Sequence, residues 1–207
     1  MISQPFEELV QSLAAKTPTP GGGAAAAMAG CMGTSLFLMT VRFSQGKKAN
    51  VDREDDLAQA EGALQKHLEE LLPMGERDCR AFDLVSAAFR MPKDSDEDKA
   101  ARSAAIQESM VGAMLVPEQT QNMIRDVFVT IDKVSDCIGK SIASDLASGA
   151  ALLLAGAEGA FLNVRINAAE LKDRELAEAA MTRATAVRDD VRARQDAIAA
   201  AVDRMLA

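Results

Sequence analysis

The feature that most constrains this chain is a run of nineteen uncharged residues, from Gly23 to Val41. A run of that length is long enough to cross a lipid bilayer as one helix. More than half of its residues are Gly, Ala, Ser or Thr, however, and these gain little free energy from contact with lipid. We therefore expect a buried helix that packs closely through small side chains, and no association with a membrane.

The composition of the whole chain also favours helices. Aromatic residues make up 3% of the 207 residues, and Trp and Tyr are absent, whereas sheets are enriched in aromatic and β-branched side chains. No segment alternates polar and apolar residues convincingly. We predict an all-α fold in one domain over residues 1–207, a bundle of six to eight helices with a long C-terminal helix.

Apolar residues recur at steps of three and four, which places the helices along the chain. Ser3 and Ser95 are candidate caps, Pro73 is a possible break, and Pro117 marks a new helix start. The predicted helices cover 3–15, 23–44, 52–90 in one or two pieces, 97–114, 118–138, 141–168 and 171–206.

Charge and residue counts exclude several classes of function. The formal net charge is −8, so a nucleic-acid partner is not expected. Cys31, Cys79 and Cys137 form no closely spaced pair, and His67 is the single histidine. We therefore expect no metal site and no disulfide framework. The N-terminus lacks a basic-then-apolar signal pattern, which makes a cytoplasmic location the default expectation.

One face of the predicted helix 141–168 combines small residues with polar ends. The steps between its members are three or four residues, so they share a side of the helix. Two interpretations stay open: a packing groove for another helix, or a floor on which a flat ligand lies and meets amides at one end. The members are Asp145, Gly149, Leu152, Gly156, Ala160, Asn163 and Asn167.

Three further features are candidate parts of a ligand site. Gly21, Gly22 and Gly23 precede a helix, so their backbone N–H groups could receive an anion or an electron-rich oxygen, or they could form only an entry turn. Asp78 lies between Arg77 and Arg80, where a solvated ion pair is the simpler interpretation. Lys47 and Lys48 fit a helix C-terminus, and they could also attract an acidic ligand tail.

Several motifs together resemble the cyclodeaminase/cyclohydrolase family, which acts on one-carbon derivatives of tetrahydrofolate. The resemblance covers about residues 5–180. After "GKK" this chain has Ala49 and Asn50, where family members often carry a basic and an aromatic residue. The motifs are "KTPTPGGGAAAA" at 16–27, "GKK" at 46–48, "D…AF" at 78–82, "MPKDSDEDKAARSAAIQE" at 91–108, "VP" at 116–117 and "SDLASGAALLLAGAEGAFLNVRIN" at 144–167.

The resemblance implies an all-helical homodimer that uses a folate substrate and neither a metal nor another cofactor. It implies that Asp78 and Asp145 are catalytic. It also implies that Asn163 and Asn167 hold the pterin-like ring, that Gly21 to Gly23 form the substrate loop, and that Lys47 or Lys48 meets the glutamate tail.

The expected reaction is hydrolysis of 5,10-methenyltetrahydrofolate to 10-formyltetrahydrofolate. The 91–108 motif favours this reaction because it looks most like the stand-alone cyclohydrolases of the family. One alternative is a formiminotetrahydrofolate cyclodeaminase, an ammonia-lyase. A second alternative is a helical dimer that binds folate, or assembles partners, without catalysis.

Overall fold

The computed structural model describes residues 5–207 and confirms the all-α fold. The described residues form seven α-helices and no strand. The predicted cap Ser3 lies outside the described residues. The helices are α1 (Phe6–Ala14), α2 (Gly22–Ser44), α3 (Glu54–Leu71), α4 (Met74–Phe89), α5 (Asp96–Asp132), α6 (Ala143–Ala169) and α7 (Arg174–Leu206), with short 3₁₀ helices at Lys48–Arg53, Ser135–Cys137 and Lys140–Ile142.

The centre of the fold is an antiparallel pair formed by α2 and α6, the two helices richest in small residues. Their backbones approach so closely that side chains do not fit at the crossing. A Cβ on Gly33 would lie 2.7 Å from the carbonyl oxygen of Gly149, and one on Gly156 would lie 2.8 Å from that of Ala26. The small residues of the uncharged run therefore form a packing seam, as predicted.

Larger side chains fill the space around this pair. Phe37 of α2 meets Phe128 of α5 edge to face, with ring centroids 5.7 Å apart, and both rings are fully buried. Helices α5 and α7 cover α6, while α3, α4 and α5 contact α2. A second apolar cluster joins α4, α5, α6 and α7 around Met114 and Ala180. The ends of α2 and α6 are thus held by neighbours on several sides.

Pro73 separates α3 from α4, and Ser95 starts α5 with a capping box that it forms with Asp98. The predicted helix start at Pro117 is wrong, because α5 continues through Pro117 as one helix of 37 residues. Proline has no N–H for the carbonyl of Ala113, four residues earlier. The side chain of Asn167 donates to that carbonyl instead, at 2.8 Å. A contact between helices thus replaces the missing bond.

Two helices are long and apolar enough to span a membrane by length and composition, Gly22–Ser44 and the segment Lys140–Ala169. About half of each apolar window is buried inside the fold (56% and 44%), as in the core helices of many proteins. The absence of membrane association stays a prediction.

Candidate active site

A cavity of about 370 Å³ lies where the N-terminus of α2 meets the C-terminal end of α6. Helices α4 and α5 close its sides, and the segment before α2 borders its mouth. The cavity brings together four elements that are distant in sequence. Its lining residues are Pro18, Thr19, Gly21, Gly22, Asp78, Phe82, Val85, Met110, Ala113, Asn163, Ile166, Asn167 and Glu170.

Asp78 is the half-buried carboxylate of this cavity. Burial raises its pKa above the ordinary value for Asp, and a hydrogen bond from the backbone N–H of Ala24 limits the rise. Neither flanking arginine neutralises it, because Arg77 donates to Gln119 and Arg80 pairs with Glu76. The simple ion-pair interpretation is therefore wrong, and the carboxylate is available for proton transfer.

The glycines at the start of α2 allow Asp78 to reach the helix backbone. A Cβ on Gly23 would overlap with the Asp78 carboxylate, and one on Gly22 would lie 3.3 Å from Nδ2 of Asn163. Gly21 is the N-cap, and it forms no side-chain capping bond. The first N–H groups of a helix have no partner within the helix, and they form the positive end of the helix dipole. The cavity thus has a wall of hydrogen-bond donors around Asp78.

Asn163 and Asn167 lie one turn apart and both line the cavity. Asn163 donates from Nδ2 to the carbonyl of Gly159 at 2.8 Å, and Asn167 donates to Ala113. These bonds fix both amides. The polar end of the predicted α6 face therefore borders the cavity. Its middle, at Gly149, Gly156 and Ala160, is buried and serves packing.

The structure does not bring Asp145, Lys47 and Lys48 to this cavity within one chain. Asp145 stands in the first turn of α6, eighteen residues before Asn163 and thus about 27 Å away along the helix. Lys47 lies beside Gly139, just before the 3₁₀ helix that leads into α6. The predicted site residues therefore divide into two groups at opposite ends of the α2–α6 pair.

Sequence reasoning missed two lining residues that change the chemistry of the cavity. Phe82 follows Asp78 by one helical turn and adds an aromatic ring that is 40% exposed. Glu170 adds a second carboxylate. Phe82 continues the helical spacing from Asp78, so its signal was present in the sequence. Glu170 lies beyond residue 168, where the helix was predicted to end.

Asn50, which departs from the family pattern, has a structural role. It is buried, and its Nδ2 donates to the carbonyls of Ser44 and Cys137, at 2.8 and 3.0 Å. This side chain fastens the end of α2 to the turn before α6. Over residues 5–207, no cluster of three metal-ligating side chains is found, and all three cysteines are free.

A family model described as formiminotransferase-cyclodeaminase matches residues 5–186, which is most of the chain. The chain belongs to this family. A methenyltetrahydrofolate cyclohydrolase from Methylorubrum extorquens is 38% identical over 176 residues, and the match covers 85% of each protein.

Two other relatives of the chain are longer than it is. Formimidoyltransferase-cyclodeaminases from Gallus gallus and Sus scrofa are each 27% identical, and the match covers 84% and 94% of this chain. The chain spans about a third of their length (32% and 38%). A solved structure of formiminotetrahydrofolate cyclodeaminase from Thermotoga maritima shares the fold, with a TM-score of 0.80 at 24% identity, covering 99% of this chain and 96% of that one.

Proposed function

We propose that this protein hydrolyses 5,10-methenyltetrahydrofolate to 10-formyltetrahydrofolate. The observation that carries the proposal is the Asp78 carboxylate, whose pKa is raised by burial in a cavity lined by hydrogen-bonding groups. The similarity to the Methylorubrum extorquens cyclohydrolase over 85% of both chains supports this choice of substrate. No cofactor is required, because the one-carbon group is already activated by its positive charge.

Asp78 performs the proton transfers of this reaction. Water adds to the methenyl carbon and loses a proton to the carboxylate, which gives a tetrahedral adduct. The carboxylic acid then returns the proton to the ring nitrogen as the bond between that nitrogen and the carbon breaks. The hydroxyl group of the adduct becomes the carbonyl of the formyl group on the other nitrogen, and its proton passes to water. A general acid and base works best when its pKa lies near the working pH, and the burial of Asp78 moves its pKa in that direction.

The remaining lining residues bind and orient the folate. The N–H groups at the start of α2 donate to oxygen atoms, and the amides of Asn163 and Asn167 pair with the polar edge of the pterin ring. The Phe82 ring offers an apolar contact to the aromatic part of the substrate. Each amide already donates one hydrogen bond from Nδ2 within the protein, and its Oδ1 remains as the acceptor for a donor on the ligand.

A homodimer would unite the two separated groups of predicted site residues. The accessible face of α2 and α6 is almost free of charge from Gly23 to Val41 and from Leu146 to Ala157. If two chains pack through this face about a two-fold axis, the cavity end of the α2–α6 pair in one chain would lie beside the opposite end of that pair in the second chain. Asp145, Lys47 and Lys48 of the second chain would then approach the Asp78 cavity, and the lysines would meet the glutamate tail.

The second candidate is a formiminotetrahydrofolate cyclodeaminase. The 27% identity to the bifunctional enzymes from Gallus gallus and Sus scrofa favours it. In that reaction a folate nitrogen attacks the one-carbon group and ammonia leaves. A tetrahedral species forms as in the hydrolysis, so the same Asp78 could move the protons. We further propose that the protein works in the cytoplasm, where folate metabolism takes place.

Two assays on purified protein separate the candidates. Hydrolysis predicts that the methenyl absorbance disappears faster than in buffer alone, without release of ammonia. Cyclodeamination predicts ammonia release from formiminotetrahydrofolate with no acceleration of methenyl hydrolysis. If the protein binds folate and neither reaction is accelerated, the non-catalytic interpretation replaces both.

A further inference from the structure

Glu170 is a carboxylate that lines the cavity and is exposed to solvent, and it has no charged partner within the described residues. It is the residue at which α6 ends, and no ion pair of its side chain occurs within residues 5–207. Gln107 donates to its backbone carbonyl, not to its carboxylate. Lys172, two residues later, donates its ammonium group to the hydroxyl of Ser103.

This position is electrostatically unfavourable for an acidic side chain. The C-terminus of a helix carries partial negative charge, so a carboxylate there is repelled, whereas a cation would be attracted. Proteins break such local rules at functional sites, and Glu170 breaks one beside the cavity. The charge of Glu170 and the end of α6 together form a negative wall of the cavity.

The two walls of the cavity differ in sign. The start of α2 presents N–H donors beside Asp78, and the end of α6 presents carbonyl groups and Glu170. The two ends meet at the same end of the bundle because the helices are antiparallel. A ligand with a positive charge on one side and oxygen acceptors on the other fits this arrangement.

We infer that Glu170 stabilises the positive charge of the methenyl group and makes the site prefer the cationic substrate over the neutral formyl product. This inference rests on the hydrolysis proposed above. Asp145 is the other carboxylate that the family resemblance implies to be catalytic, and within one chain it is about 27 Å along α6 from the amides of the cavity. Glu170 already borders the cavity in the same chain.

The test compares the KM of the methenyl substrate in hydrolysis with the KM of the formyl product in the reverse reaction. Glu170→Gln keeps the shape of the side chain and removes its charge. We expect the KM of the cationic methenyl compound to rise about tenfold, and that of the neutral formyl compound to change less than about twofold. Added salt weakens binding of the methenyl compound to the wild type more than to the variant. Glu170→Asp keeps part of the preference because it keeps the charge.

Glu178→Gln is the matched control, since it removes one exposed carboxylate outside the cavity and leaves both KM values unchanged. The inference is overturned if Glu170→Gln alters both KM values equally or not at all, or if only Asp145→Asn removes the preference. In those outcomes the wild type still hydrolyses the substrate, and the proposed function survives. A wild type that accelerates neither direction overturns the function and the inference together.

Discussion

Asp78, the proposed catalytic residue, lowers the stability of the fold when it is ionised. Its pKa is raised in the fold because burial disfavours the charged form. Folding therefore opposes ionisation of Asp78. The stabilising contribution of the protonated form is complete below the unfolded pKa of Asp, and it is lost as the pH rises through the folded pKa. At neutral pH the ionised carboxylate thus lowers the free energy of unfolding.

The destabilising effect of ionised Asp78 leads to a prediction for Asp78→Asn. The variant should be more stable than the wild type at pH 7, and the gain should vanish as the pH falls below about 4, where Asp is protonated in both states. Hydrolysis should fall by about 100-fold or more, since proton transfer is lost. Thermal unfolding at pH 4 and pH 7 together with the methenyl assay measures both effects. A variant less stable than the wild type at pH 7 would contradict the electrostatic account.

Some of the site could be predicted from single residues, and some could not. Asp78, Asn163 and Asn167, to which the motif resemblance gives site roles, line one cavity, and their roles stay predictions. The bonds of Arg77 and Arg80 could not be predicted, because both arginines turn towards partners that only the packing of α4 and α5 brings near. Glu170 was missed because its position depends on where α6 ends, and helix ends are poorly defined by periodicity.

At the scale of elements, the glycines at the crossing of α2 and α6 serve packing, while Gly112 of α5 does not. A Cβ on Gly156 would lie 2.8 Å from the carbonyl of Ala26, whereas one on Gly112 would meet no atom within 4 Å. The small-residue pattern in the sequence therefore predicted close packing of these helices, while their pairing with each other is visible only in the structure. It could not tell which glycines are tightly enclosed, since that depends on the register of the two helices.

A matched pair of substitutions tests this difference. Gly156→Ala should lower the free energy of unfolding by about 1–3 kcal/mol, because the methyl group has no space. Gly112→Ala should raise it by about 0.5–1 kcal/mol, since alanine is the better helix former. Chemical denaturation of both variants gives the values. Equal effects in the two variants would mean that α2 and α6 are not closely packed.

Asn167 has a structural role that can be separated from substrate binding. Asn167→Ala leaves the carbonyl of Ala113 without a donor, which should cost about 1–3 kcal/mol of stability. Pro117→Ala supplies an N–H for that carbonyl. In a protein that already carries Pro117→Ala, Asn167→Ala should therefore lower the free energy of unfolding by less. Substrate affinity should be weaker than in the wild type both in Asn167→Ala and in the double variant, because both lack the amide of Asn167. A double-mutant cycle by denaturation measures the coupling, and strictly additive effects would contradict the shared carbonyl.

At the scale of the molecule, the helix order followed from the sequence. The sequence left open whether 52–90 is one helix or two, and the structure shows two, separated at Pro73. The continuity of α5 through Pro117 did not follow from the sequence. The separation of the predicted site residues into two groups also became visible only in the fold, because it depends on the antiparallel arrangement of α2 and α6. The proposed homodimer is the simplest way to unite the two groups in one site.

Subunit complementation tests that dimer. Asp78→Asn and Asp145→Asn proteins are each expected to be nearly inactive, and they are mixed, unfolded and refolded together. Random pairing makes half of the dimers mixed, each with one intact site of two, so activity should recover to about a quarter of the wild-type value. Light scattering should report twice the mass of one chain. No recovery, or a monomeric mass, would contradict a site shared between chains.

The central claim is that the Asp78 cavity hydrolyses the methenyl group of a folate. The most direct measurement is the loss of methenyl absorbance with purified wild-type protein, with Asp78→Asn, and with buffer alone. The account predicts rapid loss with the wild type and a rate near that of buffer with Asp78→Asn, at unchanged helical content. A wild type no faster than buffer, or an Asp78→Asn protein with the full wild-type rate, would contradict it.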